Sequence, residues 1–392
     1  MRENRTPFRE HVLASFGASP PERAELLAYN ENVFSLALDA WDFPLQDEPF
    51  VAAWRQYARV TEDANSILPL ANYLPQMQFP IQAGISQSPE YVAATRQGVF
   101  RKPRQLNGCG LIAPERCHVA IHPTSAGHIP LIIAELREDF ITLLRALARK
   151  NEPVTVPHSM GAAMVAGYNN WHRINLLRQE YEAGGGGEWE QEFQRIKAEK
   201  SCYQDRFILL GRGPYSGVNA RELELDEEEW LRLSLVIRRE HECTHYFTRR
   251  VFSSMRNNLL DELIADYCGL TAAVGEFRPA WILRFLGLEL FPHYRPGGRL
   301  ENYRGNPPLS DAAFKILQRV MLQAVNNLEV FDRELRHSRR SLQMQAVIVA
   351  TLTSFTLEEM ASAEGEQLLR EKFHHFTAAL KPDEGQMLIQ RR

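Results

Sequence analysis

Six consecutive residues, Glu240 to His245, read E-H-E-C-T-H and set His241, Glu242 and His245 in the spacing H-E-x-x-H. On an α-helix, positions four apart lie on one face, one turn apart, so both imidazoles can turn a nitrogen toward a single ion. Glu242 is rotated by about 100° from that line. It is therefore aimed at a water on the ion, the place of the general base in a zinc hydrolase. A catalytic zinc site takes three protein ligands and leaves one position open. Glu262 is the candidate third ligand, and Asp266, four residues on, shares its helix face. Of the two, Glu262 is preferred as ligand because its longer side chain crosses more easily between neighbouring helices. Asp266 is suited to hold a histidine Nδ1–H from behind.

Two helices must position these groups. The first is expected to begin at Asp226, an N-cap acid followed by Glu227, Glu228 and Glu229, with Glu229 completing a capping box. From there Trp230, Leu233, Ser234, Ile237, His241 and His245 follow three- and four-residue steps, so the histidines continue a stripe that faces inward. Cys243 falls on nearly the opposite face and is expected to be packed rather than ligating. The second helix spans Leu259 to Val274, with Asn257 and Asn258 as cap candidates and Gly275 as its stop. Its neighbours Leu259, Leu260, Leu263, Ile264 and Ala265 are apolar, and carboxylates buried among such residues need a partner or a metal.

H-E-x-x-H followed one loop later by E-x-x-A-D is similar to the gluzincin branch of the zinc metallopeptidases, over about residues 226–274. The resemblance implies His241, His245 and Glu262 as zinc ligands, Glu242 as general base and Asp266 as the orienting acid. Thermolysin-like members carry Asn before the ligating Glu; this chain has Asp261, and its stretch between His245 and Glu262 is somewhat short for that group. The metzincin pattern is excluded, because Thr248 and Val251 stand where it needs its glycine and third histidine.

Composition narrows the setting. The chain has 392 residues, 44% hydrophobic and 24% charged, enough to bury a core without disulfides. A net charge of −4 gives no electrostatic case for nucleic acid or an anionic membrane as partner. The start, M-R-E-N-R-T-P-F-R-E, has no hydrophobic signal region, and no stretch approaches a membrane span. Five scattered cysteines without a C-x-x-C pair point to a reducing cytoplasm.

The expected fold is α+β and predominantly α-helical: a zincin-like helix pair, a small β element and a large helical N-terminal region. The run Gly184–Gly187 is the expected seam, separating residues 1–183, which would cap the cleft, from the metal-bearing residues 188–392. Helices are expected near 21–38, 48–64, 88–97, 129–150, 159–166, 171–181 and 188–200, and again at 279–290, 310–337, 342–361 and 365–379. Arg206–Leu210 reads as a short strand, where zincins keep the edge strand that pairs with an extended substrate. The loop Phe291–Pro308 offers His293 and Tyr294 as leading oxyanion donors, with Arg295, Arg299 and Tyr303 as further candidates. His118, His122, His128, His158 and His172 lack a completing acid or cysteine and are read as cleft-lining or structural.

The chain therefore reads as a zinc-dependent hydrolase acting on a peptide or small amide-containing substrate. Two alternatives stay open. One is a zinc-dependent tailoring enzyme working on a small amino-acid-derived metabolite; the other is a non-catalytic helical interaction protein with a structural metal. An open coordination position faced by Glu242 separates the enzymes from the third reading, and cleft width separates the two enzymes.

Overall fold

Strands form where β-branched and aromatic residues cluster between turn formers, or where pairing with a neighbour outweighs local preference, and four strands precede the motif helix. In the computed structural model, which describes residues 5–34, 42–99, 106–255, 258–335 and 341–380, they are β1 (Cys117–His122), β2 (Ile129–Ala134), β3 (Ala162–Asn169) and β4 (Gln204–Gly211). The helices are α1 (Thr6–Ser15), α2 (Pro20–Tyr29), α3 (Phe50–Asp63), α4 (Pro89–Arg96), α5 (Arg137–Ala148), α6 (Trp171–Ala183) and α7 (Trp189–Ala198). They continue with α8 (Glu227–Phe252), α9 (Leu259–Val274), α10 (Pro279–Leu286), α11 (Asp311–Leu335), α12 (Leu342–Leu352), α13 (Leu357–Ala361) and α14 (Gly365–Ala378). The fold is thus α+β and predominantly helical. Asn257, the ends of the helices expected to reach 38 and 337, and the first four residues lie outside the described residues. Among those described, no helix is long and apolar enough to cross a membrane.

The chain divides into two compact units, residues 46–246 and residues 1–45 with 247–392. Gly184–Gly187, the seam expected from the sequence, lies inside the first of these, between α6 and α7.

Residues 46–246 hold the sheet, in the order β1-β2-β4-β3. β2 runs parallel to β4, with Leu131 opposite Ile208, and the two outer pairings are antiparallel. Phe207, Ile208, Leu209 and Leu210 of β4 are all buried, as befits a central strand covered on both faces. Helices α3 and α5 pack on the sheet. Below it, the buried Asp205 carboxylate accepts bonds from Trp54 Nε1 (2.8 Å), Asn170 Nδ2 (2.6 Å) and Arg173 Nη1 (2.6 Å), tying α3 and α6 to the start of β4.

The sheet departs from the sequence expectations in three places. The helix expected over 129–150 is β2 followed by α5, because Ile129–Ala134 is a short Ile-rich run that finds strands on both sides. The stretch expected as helix over 159–166 belongs to β3, where pairing with β4 overrides the helix preference of its Ala and Met residues. The strand before α8 is longer than Arg206–Leu210 and is not an edge; over Ile208–Leu210 it has a neighbouring strand on each side, so no ladder there is free for a substrate.

The second unit is helical. α11 packs on α2, α10, α13 and α14, and α9 packs on α12. Asp332 on α11 accepts from Tyr267 Oη at 2.8 Å and from the Phe277 amide at 2.9 Å, fastening α9 and the turn after it. The expected helix 342–361 is broken: α12 ends at Leu352, and Thr356 caps α13 by accepting from the Glu359 amide at 3.3 Å.

Candidate metal centre

α8 begins where its acids predict. Asp226 Oδ1 accepts the amides of Glu228 (2.9 Å) and Glu229 (3.3 Å), two donors that a helix start leaves unsatisfied. The stripe from Trp230 through Ser234, Ile237 and His241 to His245 is buried throughout. What it faces is the segment after β4, Gly211–Val218. Trp230 Nε1 donates to the Val218 carbonyl at 2.7 Å, and the Ser234 hydroxyl accepts the Tyr215 amide at 3.0 Å. Arg238 donates to the carbonyls of Gly211 (3.2 Å), Gly213 (2.5 Å) and Pro214 (2.6 Å). A Cβ on Gly161 would sit 2.4 Å from Arg238 Nε, so only glycine leaves room for that guanidinium. Burial lowers the Arg238 pKa to about 10, which keeps the side chain charged at neutral pH.

This stitching ends on the first histidine. Tyr215 Oη lies 3.0 Å from His241 Nδ1, so one ring nitrogen is occupied and Nε2 is left to point elsewhere. It points at the second histidine: His241 Nε2 and His245 Nε2 are 3.1 Å apart. Glu242, between them, is half-buried while Cys243 is buried, its thiol pKa pushed up by burial. The packed role expected for Cys243 fits that position.

α9 is capped by Asn258, whose side chain accepts the Asp261 amide at 3.4 Å, and is stopped by Gly275 at φ 79°. Glu262 and Asp266 are 5% and 1% exposed. Tyr303 Oη donates to Glu262 Oε2 at 2.8 Å, and Arg299 Nη2 donates to Asp266 Oδ2. Burial raises the Tyr303 pKa; Arg299 opposes that shift and Glu262 adds to it, so the hydroxyl stays a neutral donor. His241, His245 and Glu262 are thus all buried, and each offers a ligand atom of a kind that zinc takes.

The loop after α10 contributes differently from the sequence expectation. Tyr294 Oη donates to the Gly298 carbonyl at 2.7 Å and accepts the Glu301 amide at 3.1 Å, bonds that stay within the loop. His293 is exposed and lines a hollow with Lys315, Gln318 and Arg319. Arg299 and Tyr303, the further candidates, are the two that reach the carboxylates. Tyr215 carries no sequence signal beyond its place in G-R-G-P-Y-S-G, directly after the strand.

The remaining histidines are dispersed. His128 Nδ1 bonds Asp47 at 2.8 Å, His172 Nδ1 bonds Tyr57 Oη at 2.8 Å, and His118 and His158 are exposed. His122 departs from the sequence expectation, since the fold sets an acid and a cysteine beside it: His122, Glu240 and Cys243 bring ligand-type atoms within 4.8 Å of one another. That Glu240 carboxylate already accepts from Arg239 Nε (2.7 Å) and meets His122 Nε2 at 3.0 Å. Burial alone would raise its pKa, but these two partners hold it below the ordinary value. Two partners, one of them the cation Arg239, make this group a structural tie between β1 and α8.

Residues 11–364 match the model of a family of unknown function (DUF7005), and the chain belongs to that family. No curated protein and no solved structure matches the chain.

Proposed function

We propose that the protein is a zinc-dependent hydrolase that cleaves an amide bond in a compact substrate. The observation that carries this reading is the histidine pair: two buried imidazoles on one face of α8, their Nε2 atoms 3.1 Å apart. Two nitrogens so close either share a proton or face one cation. The donor set fits zinc, since two imidazoles and one buried carboxylate make the three-ligand arrangement of catalytic zinc and leave a position for water. His241, His245 and Glu262 would hold the ion. Zinc there would supply Lewis-acid chemistry, polarising a carbonyl and making water acidic enough to attack near neutral pH.

The chain's own residues do the rest. Glu242, one residue from His241 and half-buried, takes the proton from the attacking water and delivers it to the leaving amine. Tyr215 holds His241 by Nδ1, and Tyr303 holds Glu262 by Oε2. The central place of β4, paired on both sides over Ile208–Leu210, favours a compact amide, such as a short peptide or N-acyl amino acid, over a long extended peptide bound along that strand. Five free cysteines suit a reducing cytoplasm.

Metal analysis of the purified full chain tests the reading, coupled to a screen of short peptides and N-acyl amino acids. About one zinc per chain with hydrolysis of at least one amide is the expected result. A chain that neither carries nor takes up zinc would overturn it.

A further inference from the structure

β3 is an outer strand, paired with β4 on one side only, so the main-chain groups on its other side are not consumed by the sheet. Along Met164–Asn169 runs a cavity of about 370 Å³, closed further by the ends of α4 and α5. That volume lies within the range of small-molecule sites. Its lining contains Arg96, Arg149 and Lys150 and no carboxylate, in a chain where acids outnumber bases 49 to 45. Among the described residues no acid engages any of the three; Arg149 reaches only the Ala148 carbonyl, at 3.4 Å.

The floor is also made of donors. Tyr91 is 2% exposed and lines the cavity, and its hydroxyl bonds no described residue. Burial raises its pKa, so it remains a neutral O–H. Gln76 accepts the Tyr168 hydroxyl on Oε1, which leaves its amide nitrogen as another donor. A hydroxyl that no described residue engages is a donor open to a ligand or to water.

We infer that this cavity binds a small molecule through an oxyanion group, a phosphoryl or a carboxylate. Guanidinium groups match the geometry of either oxyanion, and three exposed cations without an acidic partner, set around neutral donors, favour an anion there. The inference is independent of the metal centre: none of its residues lies on α8 or α9.

Calorimetric titration of the full chain with pyrophosphate, orthophosphate and citrate, at constant ionic strength and against chloride, tests it. Saturable binding of at least one is expected, with pyrophosphate preference marking a phosphoryl ligand and citrate preference a carboxylate. The double variant Arg96→Ala with Arg149→Ala should weaken binding by about 100-fold, near tenfold for each charge-assisted bond removed. Tyr91→Phe should weaken it several-fold. Lys150→Gln, at an exposed position, gives a single-charge version of the test should the double variant fold poorly. No saturable binding of the three anions below about 10 mM, or equal binding by the charge-removing variants, would overturn the inference.

Discussion

The two helices of the candidate centre are held by opposite means. On α8, the histidine face is fastened by bonds to the segment immediately after β4, and the cation that joins them, Arg238, meets carbonyl oxygens and the Tyr215 ring. On α9, the face that holds the proposed ligand carries two buried acids, and a cation and a phenol from the turn Arg299–Tyr303 answer them. The first arrangement fixes direction: it settles which nitrogen of His241 is spoken for. The second balances charge, since a buried carboxylate without a partner would be costly. Direction and charge should therefore fail separately when each side is perturbed.

The largest effect belongs to a residue that serves neither purpose. Glu242→Gln should retain zinc and fold, because the side chain lies off the ligand face, while hydrolysis falls by roughly 10² to 10⁴, the usual worth of a positioned base. Zinc content and kcat, measured on the same preparation with whichever amide the screen yields, decide this. A zinc-loaded variant with wild-type turnover would remove the proposed mechanism.

Next come the two acids. Glu262→Gln takes away a proposed ligand and should lower zinc affinity by more than about 100-fold, whereas Asp266→Asn should cost roughly 10- to 100-fold, as for other partners behind a ligand. Competition with a chelator of known affinity ranks them. If Asp266→Asn empties the site while Glu262→Gln leaves it loaded, the assignment of ligand and supporting acid is reversed.

On the histidine side, Tyr215→Phe removes one hydroxyl and leaves the ring over Arg238. Affinity for zinc should drop by about tenfold, the lower end of what such supports contribute. Thermal stability in the presence of a chelator should change little, which separates loss of direction from loss of packing. A variant that binds zinc as tightly as wild type would show that the stitched segment does not orient His241.

How much of this was legible in the sequence follows from where each constraint resides. Both helices of the centre read clearly because their signals are local: the 3.6-residue stripe from Trp230 to His245, the acid at Asp226, the amide at Asn258 and the glycine at 275. β2 and β3 did not, because Ile129–Ala134 and Ala162–Asn169 become strands through pairing with β4, a partner far along the chain. The same distinction runs through the site. His241, His245, Glu262 and Asp266 follow from helical spacing. The choice of Arg299 and Tyr303 over His293 and Tyr294 depends on the path of one loop, which residue types alone do not determine. Tyr215 acquires its role only because the segment after β4 lies along α8.

The smallest effect concerns the two caps, and it sharpens the contrast between the helices. Asp226 accepts two amides, at 2.9 and 3.3 Å, and carries negative charge at the positive end of α8. Asn258 is neutral and accepts one amide at 3.4 Å. Asp226→Ala should cost about 1 kcal/mol, within the ordinary range for losing a cap, and Asn258→Ala about half of that. Urea denaturation of both variants, read as a change in midpoint at unchanged slope, gives the comparison. Raising the salt concentration should narrow the gap, because the dipole contribution of Asp226 is screened while the hydrogen bonds are not. Equal losses at low salt would mean that the charge at the start of α8 contributes nothing beyond its hydrogen bonds.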